Sequence, residues 1–134
     1  MPLGKPGAKM SMESKSPFDQ IYQSDLSAEI RSAFLEQLSF GLDVKDATQT
    51  VLLRFGDLLK QPNEGPVVLI VLAALQLERE QLYAPFRDAA IELIESGEAE
   101  AAYRVQEPAT LKGRKELLSS LANLLQSAQT VDED

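Results

Sequence analysis

Apolar side chains recur every three or four residues along most of this chain, the spacing that gathers them on one face of an α-helix. Leu26, Ile30, Phe34 and Leu38 form the first such stripe, with Ala33 beside it. Ser24 or Asp25 can cap its start, and Gly41 ends it. Asp43 can cap a second helix, with Asp46 as an acidic first-turn partner and Val44, Ala47, Val51, Phe55, Leu58 and Leu59 as its stripe. Gly56 falls inside that stripe, costs ~1 kcal/mol there against alanine, and would let another helix approach closely. Residues 61–66, with two prolines and a glycine, are the clearest turn in the chain. Pro66 suits the first turn of the following helix, where a missing N–H costs little.

Residues 67–75 are apolar without a break. A buried strand and a buried helix both fit that pattern, and periodicity alone does not separate them. Length favours the helix, because the helix-forming run continues to Leu82 and a lone strand would have nothing to pair with. The segment is expected to be the central, fully buried helix. Pro85 then kinks it or opens a new one. Phe86, Ala89, Ala90, Leu93 and Ile94 make the next stripe, closed by Ser96 and Gly97. A short helix over 98–104 follows, and Glu107 with Pro108 breaks it. The last helix opens near Thr110 and buries Leu117, Leu118, Leu121, Leu124 and Leu125. The sum is an all-α fold, a single compact bundle of five or six helices over residues 18–128. Residues 1–17, rich in Pro, Gly, Ser, Lys and Met, read as a flexible N-terminal arm, and the acidic C-terminal tail at 129–134 is expected to fray.

Composition narrows the chemistry. The chain has neither histidine nor cysteine. That removes imidazole bases, histidine triads, thiol nucleophiles, disulfides and the usual zinc ligands. No nucleophile elbow, phosphate loop, dinucleotide fingerprint or calcium loop can be read. The expectation is no enzyme, no catalytic residue, no cofactor and no metal site. Carboxylate pairs three residues apart, Glu92 with Glu95 and Asp43 with Asp46, could in principle hold a divalent ion. With 21 acidic residues in the chain, chance accounts for such pairs. Capping or turn formation explains Asp57 and Glu64 equally well.

Charge is the remaining signal. The net charge is −8, and residues 78–107 set eight carboxylates against Arg79, Arg87 and Arg104. Such a balance repels nucleic acid and anionic lipid and suits a basic protein partner. The basic cluster of Lys112, Arg114 and Lys115 is small and is expected to pair with the carboxylates of 92–107. The longest apolar run is nine residues, against the roughly 20 a spanning helix needs. The N-terminal residues lack the apolar core of a secretory signal. A cytoplasmic protein without membrane or nucleic-acid contacts is expected.

Phe55-Gly56-Asp57-Leu58-Leu59, then Pro62-Asn63-Glu64-Gly65-Pro66-Val67, the Ala73-Ala74-Leu75-Gln76 stretch and Ile94-Glu95-Ser96-Gly97 share their spacing with a known pattern. Over residues 51–104 the chain resembles a family of poorly characterised bacterial helical proteins found near immunity genes of toxin systems. The resemblance implies an association with toxin-immunity systems and assigns no catalytic residue. The leading expectation is an acidic inhibitor or immunity-type protein that blocks a basic partner, with Glu92, Glu95, Glu98, Glu100 and Tyr103 as the contact residues. The alternative is an adaptor that binds helices or self-associates, as a homo-oligomer, through an apolar groove.

Overall fold

The structure is a computed structural model and describes residues 20–106 and 111–131. Among the described residues six α-helices follow one another: α1 (Asp25–Ser39), α2 (Val44–Arg54), α3 (Gly65–Glu78), α4 (Ala84–Ser96), α5 (Glu98–Gln106) and α6 (Leu111–Ser127). A 3-10 turn at Gly56–Lys60 links α2 to α3. Among the described residues there is no strand, only an isolated parallel bridge between Tyr83 and Val131. The all-α bundle is therefore as the stripes require. The proposed arm at 1–17, the Glu107 and Pro108 break and Thr110 lie outside the described residues.

The helix starts follow from local chemistry. Ser24 caps α1, its hydroxyl accepting from the Ser27 N–H at 3.1 Å. Asp43 caps α2 in the same way, accepting from the Asp46 N–H at 2.8 Å. Each cap satisfies a backbone donor that the first helical turn leaves without a partner. Pro66 stands in the first turn of α3 and Pro85 in that of α4, so Pro85 opens a new helix and does not kink the old one. Gly97, at φ +90°, closes α4 in the left-handed conformation that glycine adopts without strain.

α3 is the axis of the molecule. It packs against α1, α4, α5 and the 3-10 turn, while α6 covers α4 and α5. Val67, Val68, Ile70, Val71, Leu72, Ala73 and Ala74 have no exposed surface, which explains why the segment is apolar all round. One polar group, Gln76, is equally buried. Its amide nitrogen donates to the Thr48 hydroxyl at 3.2 Å, and its oxygen accepts from the Tyr83 N–H at 3.1 Å. This single side chain ties α3 to α2 and to the start of α4, and both contacts remove the cost of burying an unmet amide.

The boundaries differ from the sequence reading in four places. α3 stops at Glu78 and does not run on to Leu82, because Glu80 turns to a left-handed φ of 57°. α2 itself ends at Arg54, and of the two stripe leucines in the 3-10 turn Leu58 packs against the core whereas Leu59 falls on the exposed side. Close backbone approach belongs to Gly65 and not to Gly56. A Cβ on Gly65 would stand 2.5 Å from the Leu59 carbonyl oxygen, whereas one on Gly56 would meet nothing within 4 Å. Leu124 is 40% exposed, outside the core face that Leu117, Leu118, Leu121 and Leu125 share on α6. Towards the other end of the trailing segment the chain is held as far as Val131, whose N–H donates to the Leu82 carbonyl at 2.8 Å.

Candidate functional site

Of the acidic stretch, Asp88, Glu92 and Glu95 lie on α4 and Glu98 and Glu100 on α5, while Glu78 ends α3, Glu80 stands in the link that follows, and Glu107 lies outside the described residues. Along α4 the spacing of Asp88, Ile91, Glu92, Glu95 and Ser96 places all five on one side, where they line an open depression of about 430 Å³. Glu92 and Glu95 are exposed, with half-buried Ile91 beside them. Gly97 then redirects the chain, so α5 starts beside the end of α4. Glu98, in the first turn of α5, comes within 3.2 Å of the Ser96 hydroxyl. That hydroxyl in turn accepts from the Glu98 N–H at 3.3 Å. A carboxylate is favoured at that position by the partial positive charge of the helix start.

The fold thus sets Glu92 and Glu95 on one exposed side of α4, with Glu98, also exposed, tied to Ser96 at the end of that helix. Glu95 accepts from the Gln126 amide at 3.2 Å, which orients it against α6. Among the described residues Glu92 has no ion pair or hydrogen-bond partner. Glu100 differs. It is half-buried and paired with Arg104 at 2.7 Å one turn along, so its charge is largely met within the protein. A second cleft of about 250 Å³, between α4, α5 and α6, is lined by Glu95, Glu100 and Lys115.

Tyr103 is not a surface residue. It has no exposed area, its ring lies 4.7 Å from the Arg114 guanidinium, and its hydroxyl donates to the Ile21 carbonyl at 3.4 Å. Tyr22 and Tyr83 are also buried, so no tyrosine offers an exposed anchor. The apolar stripe of α5, with Ala99 and Ala102, turns Tyr103 inward. Arg114 is likewise drawn in. It is 3% exposed, stacks on Tyr103 and donates to the Gln20 carbonyl at 3.0 Å. The residue types gave no warning of this, since an arginine beside two lysines reads as surface.

The environment clearly alters the titration of Tyr22. Burial pushes its hydroxyl well above the usual tyrosine range, and the neighbouring Glu78 carboxylate, which accepts its hydrogen bond at 3.1 Å, adds to the shift. Arg31, 5.2 Å from the ring centre, opposes it. The contact helps hold residues 20–24 across the core. Asp43 is occupied as the α2 cap, and among the described residues no three acidic side chains converge as a metal would require. No helix among the described residues is long and apolar enough to cross a membrane. The chain matches no protein-family model, no curated protein and no solved structure.

Proposed function

We propose that this protein is a non-enzymatic binding module, an acidic inhibitor of the immunity type that works in the cytoplasm and docks a basic protein partner on the α4–α5 face. The observation that carries the reading is the exposed carboxylate side of α4, where Glu92 and Glu95 line a depression with the half-buried Ile91 and Glu98 follows at its Ser96 end. A rim of carboxylates around an apolar patch suits a cationic surface, because complementary fields speed encounter while the apolar contact slows release. The resemblance of residues 51–104 to proteins found near immunity genes points the same way. Phe40 and Leu53, 69% and 84% exposed, favour a second reading, an adaptor or self-associating protein that uses an apolar surface away from these acids.

The test is the association rate with a partner captured from the native host and identified by mass. Replacing Glu92, Glu95, Glu98 and Glu100 by Gln should slow association about tenfold at low salt and change dissociation no more than about threefold. Glu92 and Glu98 should account for more of the loss than the Arg104-paired Glu100. The parent rate should fall as the Debye length shrinks from about 10 Å at 0.1 M to about 3 Å at 1 M salt. Equal, salt-independent rates for the two proteins would leave the apolar adaptor as the better account.

A further inference from the structure

Gln76 of α3 and Thr48 of α2 form a polar pair in the interior, 0% and 3% exposed. One backbone group fixes which way its hydrogen bonds run. The Tyr83 N–H can only donate, and it meets the Gln76 side-chain oxygen at 3.1 Å. The Gln76 amide is therefore not reversible, and its nitrogen faces the Thr48 hydroxyl at 3.2 Å. An amide nitrogen does not accept, so Thr48 is the acceptor there and its own O–H proton is left for a third group. Within a helix a threonine often turns its hydroxyl to the carbonyl four residues back, as Thr50 does with Asp46 at 3.0 Å. Thr48 makes no such bond, and the contact with Gln76 is the one hydrogen bond of its side chain. A buried donor without an acceptor is rare and calls for a partner from outside the chain.

There is space for that partner. Thr48 lines a pocket of about 50 Å³, with Lys45 and Gln49 of α2 on one side and Tyr83 and Phe86 at the start of α4 on the other. The volume admits a group of only a few non-hydrogen atoms. Its walls define the chemistry of that group. The Thr48 proton and the Lys45 ammonium call for an oxygen acceptor, the two aromatic residues for an apolar body. The Gln49 side chain offers an amide oxygen that an N–H of the guest can reach. The net charge of −8 disfavours a carboxylate and favours an uncharged carbonyl.

We propose that the pocket between α2 and the start of α4 binds a primary carboxamide, whose oxygen accepts the Thr48 hydroxyl proton while its carbon body lies against Tyr83 and Phe86. A small free amide and the side chain of an asparagine or glutamine carry the same group. The pocket shares no residue with the acidic depression on α4 and does not rest on the docking of a basic partner.

The full chain would be titrated with acetamide and followed by two-dimensional NMR. Shifts should centre on Thr48, Gln49, Tyr83 and Phe86. Ethylammonium, of similar size but with no acceptor, should bind there about tenfold more weakly, and acetate should also bind more weakly than acetamide. Thr48→Val keeps the shape without the hydroxyl and should weaken acetamide about tenfold, whereas Thr48→Ser should stay within about threefold. If Thr48→Val does not fold, the comparison of acetamide with ethylammonium on the parent decides. A capped Gly-Gln-Gly peptide that shifts the same resonances would assign the group to a partner's side chain, and a response to acetamide alone would assign it to a free amide. No shift at these residues, as expected of a pocket that holds water only, would overturn the site, as would equal binding of acetamide and ethylammonium. Acetate binding as tightly as acetamide would overturn the uncharged guest.

Discussion

Tyr22 shows how one side chain couples burial to charge. Its hydroxyl is held against Glu78 and its ring beneath Arg31, and all three groups join elements far apart in sequence. Because the folded state raises its pKa, the folded protein keeps the proton that the unfolded chain gives up near pH 10. The contribution is therefore complete below about pH 10 and is lost as pH rises above it. Tyr22→Phe should cost about 0.5–1.5 kcal/mol at pH 7 through the missing hydrogen bond. Above pH 10 the gap to the parent should close and then reverse, at up to ~1.4 kcal/mol per pH unit, because phenylalanine has no proton to lose. Urea melts of both proteins at a series of alkaline pH values measure the gap, and a constant gap would contradict the role given to burial. Gln76 and Arg114 teach the same lesson in another form. A polar residue in an apolar run was visible in the sequence, but its partners Thr48 and Tyr83, 28 and 7 residues away, were not.

Secondary structure was legible because each helix carries its own start, stripe and stop. Ser24, Asp43, Pro66, Pro85 and Gly97 act on backbone groups within four residues of themselves, so their effect needs no tertiary context. What escaped the pattern depends on neighbours distant in sequence. The 3-10 turn forms where the chain must bring Leu59 against Gly65, and Val131 is held by the carbonyl of Leu82. The candidate face was half legible, since helical spacing places Glu92 and Glu95 together, while the inward turn of Tyr103 is set by packing between α5 and α6. The α3 assignment has a direct consequence. Leu72 has no exposed surface, so Leu72→Asp buries an unpaired charge and should cost several kcal/mol, comparable to the ~5–15 that hold a domain together. Glu98→Gln, on exposed surface, should stay within about 0.5 kcal/mol. Thermal melts of the two variants decide the matter, and a Leu72→Asp protein that melts like the parent would remove α3 from the core.

At the scale of the whole molecule the net charge of −8 is poorly compensated. The ion pairs found among the described residues are Arg54 with Glu36, Arg87 with Asp88 and Arg104 with Glu100, and each has at least one largely exposed partner. Pairs of that kind contribute about 0–1 kcal/mol, whereas the carboxylates of α4 and α5 repel one another across a short distance. Salt screens both effects, and the repulsion is the larger because the negative charges outnumber the positive ones. The protein should therefore gain stability with sodium chloride, by about 1 kcal/mol or a few degrees in Tm between 10 mM and 0.5 M. Replacing Glu92, Glu95, Glu98 and Glu100 by Gln should raise Tm at low salt and flatten the dependence. This separates the electrostatics of the face from any partner, since it needs only the isolated protein. A parent whose Tm falls with salt would show that favourable pairs dominate, and the α4–α5 face would then lack the uncompensated field that the docking of a basic partner requires.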